Sequence, residues 1–312
     1  MIATFLNAFP GAVAQGLIWG IMAIGVYISY KIQNLADLTV DGTMCTGGAV
    51  CVMLMVNGTP LWLALLAAIG AGLLAGLLTG IFHTFMGIPA LLAGILSQLS
   101  LYSINLKIMA DKANQPINWR NYNLLVSLNN VKSAPISIQD GVVSFNPIFI
   151  VAVIVVILVV LLYWFFGRES GCALRATGAN QNMARAQGIN TKFMTVLGLM
   201  ISNAIVAFSS ALLAQYQGFC DINMGRGAIV IGLAAVIIGG VLFDKIFRNL
   251  ALKLVGVALG GIIYYIVLQI VITLGFDTNL LKLLSALVVA IFLAIPYWKK
   301  RVFTKSKVKG GN

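Results

Sequence analysis

The sequence predicts an all-α membrane protein, a polytopic bundle of transmembrane helices, from three observations. Of the 312 residues, 60% are hydrophobic and 9% are charged, and the mean hydropathy is +0.99. A soluble domain carries about 25% charged residues, so this chain lacks the side chains that would cover one. The apolar residues form long runs close to the roughly 20 residues of a spanning helix. Barrel strands would instead alternate polar and apolar residues over about 10 positions.

Nine such runs predict nine spanning helices within a single transmembrane domain, residues 1–312. Only the ninth contains a charged residue, Lys282, near one end. The first run has full spanning length and no basic segment before it, so we expect a retained helix and not a cleaved signal peptide. In chain order the runs are 9–30, 42–56, 61–85, 88–106, 148–166, 193–216, 228–243, 254–274 and 280–297.

The basic residues that flank the runs predict the orientation of the chain, because Lys and Arg concentrate in cytoplasmic loops. With nine spans, a cytoplasmic C-terminus and an outer N-terminus place most of the 20 basic residues inside. Those residues are Lys31, Arg168, Arg175, Arg185, Lys192, Lys245, Arg248, Lys253, Lys299, Lys300, Arg301, Lys305, Lys307 and Lys309. The tail, 299–312, acts on this view as a topology signal, and attraction to anionic lipid is its alternative role.

The chain also resembles itself at a fixed offset. Asp37 falls on Asp221, an offset of 184 residues, and the same offset carries runs one to four onto runs six to nine. The halves are about 1–106 and 193–298, with the fifth run as a connector. Because a single connecting span turns the second half over, the repeat is predicted to be inverted.

The second and seventh runs are the shortest, and polar, glycine-containing sequence precedes both. Such segments at matching positions of inverted halves indicate a transport path near the middle of the membrane. We therefore expect 37–46 and 221–227 to line the path or its gates. The alternative is that these are ordinary helix ends with Asp37 or Asp41 as N-caps. The path candidates are Asp37, Thr39, Asp41, Thr43, Asp221 and Asn223.

The inner loop 167–192 carries the most informative pattern. Its five charged residues place it outside lipid. We expect a short helix over 172–177 that stops at Gly178, and a second over 181–187, capped by Asn180 and stopped at Gly188. Helices this short are marginal alone, so they need a partner or packing against the bundle.

The loop sequence ALRATGANQNMARAQGIN resembles the cytoplasmic signature of permease subunits of ATP-binding-cassette importers, in the branched-chain amino acid and ribose branch. LADLTVDGTMCTGGAV resembles the segment around the second span of that family, and ADLTVDGT is most similar to permeases proposed to import tryptophan or tyrosine. The resemblance covers essentially the whole chain. It implies a multi-pass protein of the cell membrane.

The resemblance also implies partners. Loop 167–192 would contact a cytoplasmic ATP-hydrolysing subunit, a second permease chain, identical in a homodimer, would complete the pathway, and an extracellular binding protein would deliver the solute. The family commonly has an acidic residue near the second short helix, where this chain has Ala179, Gln181 and Asn182. The implied docking residues are Arg175, Ala176, Thr177, Gly178, Asn180, Met183, Ala184, Arg185 and Gly188.

The remaining features limit the other function classes. The sequence contains no GxxxxGK[ST] phosphate loop, so we expect ATP hydrolysis in a partner, with no cofactor or metal bound here. An ion-coupled secondary transporter is the alternative, but His83 is the sole interior candidate for a proton relay, and an interfacial role suits it better. No paired acids or HExxH motif supports an enzyme. The cysteines Cys45, Cys51, Cys172 and Cys220 are expected to be small buried side chains.

The outer segment 107–147 is too polar to span the membrane and longer than most connections. Its part LLVSLNNVKSAPISIQDGVVSFNP alternates polar and apolar residues with turn residues between them, which predicts a small β-hairpin or an irregular cap. Two roles remain open for it. It is a candidate surface for the binding protein, or a lid that covers helix ends.

Overall fold

The structure is a computed structural model that describes 2–117, 124–126, 136–139, 142–243, 246–247, 249–274, 283, 286–287, 289–292 and 294. The basic tail and most of the ninth run, whose spanning role was predicted, lie outside the described residues.

Ten α-helices and four short strands are present in the described part of the chain. Seven helical segments have the length and composition to cross a membrane, and α9 is a shorter apolar helix. The all-α polytopic prediction is confirmed, while the count of nine spans stays a prediction. The elements are α1 (Ile2–Tyr27, continued by the π-helical turn Ile28–Ile32), α2 (Thr39–Val56), α3 (Leu61–Thr84), α4 (Ala90–Ile108), β1 (Asn114–Pro116), β2 (Ile136–Gln139), β3 (Val142–Phe145), α5 (Pro147–Gly167), α6 (Glu169–Ala179), α7 (Gln181–Ala186), α8 (Thr191–Gln217), β4 (Phe219–Asp221), α9 (Ala228–Phe243) and α10 (Leu250–Thr273).

Local residues set the ends of several helices. Asn146 accepts a hydrogen bond from the Ile148 amide at the start of α5, where Pro147 needs no amide partner. The Asn190 side chain likewise accepts from Phe193 N as α8 begins. At the other end of α8, Gly218 has φ +79°, the left-handed conformation that glycine adopts without strain.

Helices α1, α2 and α8 form the buried centre, whereas α3, α4, α5 and α10 leave most of their surface exposed. The exposed side chains are themselves large and apolar, with Trp62 at 68% and Val160 at 62% exposure. An exterior of this kind is stable only in contact with lipid or another protein chain. The bundle is therefore organised as a membrane protein, with its polar contacts inside.

The bundle has two ends that α8 separates by about 40 Å, its 27 residues rising 1.5 Å each. The loop end holds α6 and α7. The strand end holds β1 and β4, which pair antiparallel with Asn114 opposite Asp221. In the outer segment, β2 and β3 also pair antiparallel, which confirms the predicted hairpin.

Reciprocal contacts at the 184-residue offset join the two halves of the chain. Ser209 Oγ donates to Ile18 O at 2.7 Å, and Ser202 Oγ donates to Gly25 O at 2.8 Å. The offset exchanges these two pairs, since Ile18 corresponds to Ser202 and Gly25 to Ser209. Helices α1 and α10 likewise cross closely, as α8 and α3 do. These contacts support the repeat, whose inverted sense stays a prediction.

Candidate functional site

The chain turns back into the bundle between α1 and α2 as a non-helical segment, residues 33–38. At its start, Gln33 Nε2 donates to Thr195 O at 2.9 Å, and near its end Asp37 Oδ2 accepts from Asn203 Nδ2 at 2.7 Å. Thr195 and Asn203 are eight positions apart on α8, about 12 Å along its axis. The segment thus carries irregular backbone along α8, with Gln33 and Asp37 buried in the bundle and Asn34 and Ala36 exposed between them.

A buried polar network holds the end of this segment. Asp37 Oδ1 accepts from the Thr39 amide at 2.9 Å, while Asn203 Oδ1 accepts from Thr43 Oγ1 at 2.7 Å. All four residues are at most 3% exposed. Asn203 therefore satisfies a carboxylate and a hydroxyl at once, and it joins the first half of the chain to the second.

A chain of hydroxyl groups extends the network toward α3 and α4. Thr39 Oγ1 lies 2.7 Å from Thr79 Oγ1, which lies 2.8 Å from Ser97 Oγ. Each hydroxyl can donate to the next, so three buried polar groups satisfy one another. The first turn of α2 is thereby fixed to α3, α4 and α8 together.

A second non-helical segment, residues 218–227, leads from the strand end to the start of α9. It runs inward along α2, where Cys45 Sγ lies 3.7 Å from Asp221 O. Further along, Gly225 packs so closely on Asp41 O that a Cβ would not fit. Asp41 Oδ2 accepts from Gly227 N at 3.0 Å, and Oδ1 accepts from Ile229 N at 2.9 Å. The carboxylate of α2 therefore caps α9, where the helix dipole favours negative charge.

The two short helices thus begin beside each other inside the bundle and lead to opposite ends. Each is preceded by the same local turn, in which Asp37 Oδ1 accepts from Thr39 N and Asp221 Oδ1 accepts from Asn223 N. These four positions correspond at the 184-residue offset. Short helices with adjacent N-termini, each preceded by non-helical backbone at matching positions of two halves, are typical of solute paths in transporters.

The predicted path residues fall into three places. Asp37, Thr39 and Thr43 lie together in the buried network, and Asp41 lies at the start of α9. Asp221 is half-buried and Asn223 is exposed, both toward the strand end. Neither aspartate is the N-cap of α2, which is Leu38 and has no side-chain cap bond. Asp37 accepts from Thr39 N one position before that cap, and Asp41 caps a helix of the other half. Sequence reasoning missed Asn203, Thr79 and Ser97, whose signal was a polar side chain within an apolar run.

The α6–α7 pair contains the predicted capped helix. Asn180 Oδ1 accepts from Asn182 N at 3.0 Å and from Met183 N at 3.1 Å, and Gly188 has φ +80° after the helix. The first helix differs from the expectation, because it begins at Glu169 and continues through Gly178. A Cβ at Gly178 would overlap Ile32 O, so glycine here allows α6 to pack against the end of α1.

The pair is held to the bundle at several points and leaves one face open. Arg175 donates to Phe166 O at 3.0 Å, and Arg185 Nε donates to Thr191 Oγ1 at 2.8 Å. Met183 is 60% exposed although it is apolar. Of the predicted docking residues, Arg175, Asn180, Met183, Arg185 and Gly188 are exposed, Ala176 and Gly178 are half-buried, and Thr177 and Ala184 are buried.

The reactive side chains mostly have structural surroundings. His83 Nδ1 lies 2.9 Å from Ile88 O in the turn after α3, and among the described residues no group of three or more His, Cys, Asp or Glu forms a metal site. Cys220 is fully buried, and its Sγ lies 4.0 Å from Cys45 O of α2. Cys172 is exposed, which corrects the expectation of four buried cysteines.

Comparison with known proteins identifies the family. The family described as "Branched-chain amino acid transport system / permease component" matches residues 10–295. The tyrosine transport system permease protein of Clostridioides difficile (strain R20291) is 38% identical over 289 residues, 93% of this chain and 91% of the relative. Uncharacterized protein RP368 of Rickettsia prowazekii (strain Madrid E) is 34% identical and covers 93% and 98%. The fructose import permease protein FruF of Bifidobacterium longum (strain NCC 2705) is 26% identical over 82% of this chain and 68% of its own.

The family match spans nearly all of the described bundle. Two relatives above 30% identity align with this chain over more than nine-tenths of both lengths. The chain is thus a multi-pass transport permease, and it belongs to the branched-chain amino acid permease family of ATP-binding-cassette importers.

Proposed function

We propose that this permease forms the translocation pathway of an importer for a small solute, an amino acid of the tyrosine type. An extracellular binding protein delivers the solute, and ATP hydrolysis in a separate subunit drives its passage. One observation carries the proposal: α6 packs against Ile32, where the non-helical segment 33–38 begins, while Met183 on α7 stays exposed. A partner that moves α6 and α7 would therefore act directly on the segment that leads to Asp37.

The proposal makes the loop end cytoplasmic and places the N-terminus outside. The described loop end carries Lys31, Arg168, Arg175, Arg185, Lys192 and Lys253 against Glu169 alone. The described strand end mixes basic residues with Asp111 and Asp221, and Lys107 pairs with Asp111 at 2.9 Å. An excess of Lys and Arg is typical of the cytoplasmic side.

In the proposed cycle, closure of the ATPase subunits moves α6 and α7 relative to the core. Two contacts carry the movement inward, from Gly178 to Ile32 and from Arg185 to Thr191 at the start of α8. Both lead to the region where α2 and α9 begin. Alternation between two arrangements of α2 and α9 would open the path to each side of the membrane in turn. Asp37, Thr39, Asp41, Thr43, Asp221 and Asn223 would line that path or its gates.

The substrate class is supported by the C. difficile relative, which is named for tyrosine transport and matches over 93% of this chain. We expect vesicles that contain this chain, its ATPase subunit and its binding protein to take up labelled tyrosine only with ATP. Binding-protein systems set much of their selectivity outside the membrane, so leucine and ribose are tested in parallel. Uptake by this chain alone, driven by a proton or sodium gradient, would show a secondary transporter instead.

Replacing Met183 with Asp is expected to abolish co-purification of the ATPase subunit and to reduce ATP-driven uptake at least tenfold. The change places a charge on an exposed apolar side chain of α7 that has no internal hydrogen bond to lose. Removing such a central apolar contact costs about 2 kcal/mol or more. Pull-down in mild detergent, with ATPase activity of the eluate, measures the effect.

The matched control is Met86→Asp. The exposed fraction of Met86, 65%, is similar to the 60% of Met183, and Met86 lies in the turn between α3 and α4 at the same end of the bundle. We expect this variant to bind the ATPase subunit normally. Equal loss in both variants, or normal binding by Met183→Asp, would contradict docking on α7.

A further inference from the structure

Three cations line two neighbouring cavities at the loop end, where α1, α6 and α10 meet. A cavity of about 360 Å³ is lined by Lys31, Arg175 and Lys253, among others, and a neighbouring one of about 230 Å³ shares Lys31 and Lys253. The three side chains come from three separate helical segments. The fold therefore concentrates positive charge that the sequence distributes over more than 200 positions.

No carboxylate in the described part of the chain lines these two cavities. Arg175 is oriented by its bond to Phe166 O, and the ion pair that the described residues form, Lys107 with Asp111, is at the strand end. Like charges around shared spaces repel one another, and an anion held between them relieves the repulsion. The site thus has the chemistry of an anion site.

The walls of the smaller cavity identify the kind of anion. Besides the two lysines, it is lined by Val236, Val241 and Val257 of α9 and α10, with Tyr27 and Tyr30 beside them. Cations at one side and an apolar wall at the other match an amphiphile with an anionic head and a hydrocarbon tail. A free inorganic anion would gain nothing from the valines.

The residues beside these two cavities are of the types found at a membrane–water interface. A third cavity, of about 600 Å³, is lined by Tyr163 and Trp164 and shares Arg175 with the cavity of about 360 Å³. Arg168 lies over the Trp164 ring, 4.6 Å from its centroid. Tyr and Trp beside Lys and Arg at the ends of spanning helices mark the depth of lipid headgroups.

We propose that the cavities between α1, α6 and α10 bind the phosphate headgroup of an anionic phospholipid. Lys31, Arg175 and Lys253 hold the phosphate, and an acyl chain follows the valine wall of α9 and α10. Basic pockets between transmembrane helices are known to bind anionic headgroups in this way. The lipid ties α6 to α1 and α10, and its binding does not depend on the proposed function.

The test titrates the purified full-length chain in detergent with dioctanoyl phosphatidylglycerol and follows binding by native mass spectrometry. We expect Lys31→Gln/Lys253→Gln to weaken binding roughly 25-fold, about fivefold for each lysine near an anionic headgroup. Lys31→Arg/Lys253→Arg keeps the charges and should bind normally. The control Lys192→Gln removes an exposed cation at the same end that lines neither cavity, and it should bind as wild type does.

Other probes distinguish the sources of the phosphate. Phosphatidylcholine should bind at least tenfold more weakly, and inorganic phosphate or glycerol 3-phosphate should not compete at millimolar concentration. The proposal is overturned by equal binding of phosphatidylcholine, by effective competition from inorganic phosphate, or by an equal loss in Lys192→Gln. Unchanged lipid binding in the double glutamine variant, with weaker ATPase co-purification, would overturn the proposal and show that Lys31 and Lys253 contact the ATPase subunit instead. The melting temperature of each variant, measured first, ensures that the compared proteins are folded.

Discussion

Replacing Gly76 with Ala is expected to lower the free energy of unfolding by about 3 kcal/mol, at the upper end of the usual cost of overpacking. An added Cβ would lie 2.7 Å from Met200 Cα and 2.7 Å from the Leu199 carbonyl carbon. These are backbone atoms of α8, which cannot rotate aside as a side chain can. Helix α3 would have to move away, and Thr79, one turn further along, would lose its contact with Thr39.

Gly70→Ala provides the control within the same helix, because nothing lies within 4 Å of a Cβ at that position. We expect its stability to equal or slightly exceed that of the wild type, since Ala favours helix over Gly by about 1 kcal/mol. Thermal unfolding in detergent, followed by loss of the monodisperse peak, compares the two variants. Similar melting temperatures would show that α3 and α8 are not packed as closely as the structure has them.

The fold was predictable where a single segment determines its own conformation. Apolar runs of spanning length identified the helices, and Asn180 was recognised as a cap because its partners, Asn182 and Met183, are adjacent in the sequence. Gly178 shows the limit of such reasoning. Its low helix propensity predicted a stop, but packing against Ile32 makes glycine the residue that allows α6 to continue.

The candidate site was predictable in its position but not in its partners. Polar residues before two short runs at matching offsets indicated where the chain enters the bundle. Asp41 accepts from the amide of Gly227, 186 positions later, and no local pattern shows which of many amides a carboxylate will meet. Asn203 presents the same difficulty, because a polar residue in an apolar run predicts a buried hydrogen bond without naming its partner.

Replacing Asn203 with Leu is expected to abolish ATP-driven uptake and to destabilise the protein by about 3 kcal/mol. Leucine is similar in size, but it can neither donate to Asp37 Oδ2 nor accept the hydrogen bond that Thr43 Oγ1 donates. Breaking a buried polar pair on one side costs about 3 kcal/mol or more, because the other group stays buried without its partner. The neighbouring change Ser202→Ala, which removes a single bond to Gly25 O, should cost about 1 kcal/mol.

The exchange Asp37→Asn/Asn203→Asp tests whether the contact itself is responsible. The new Asn would still accept from Thr39 N and would donate to the new Asp, which would accept from Thr43. Asn203→Asp alone places two carboxylates within the 2.7 Å contact, so it should be the least stable of the set. We expect the exchange to regain part of the stability lost in that single variant, as a coupling energy of at least 1 kcal/mol. The rest stays lost, because the new carboxylate also faces Leu199 O, to which Asn203 Nδ2 donates at 3.0 Å. If the two single changes were additive, Asp37 and Asn203 would not form the contact that joins the two halves, and the start of α2 would have to be held by Thr39 and Thr79 alone.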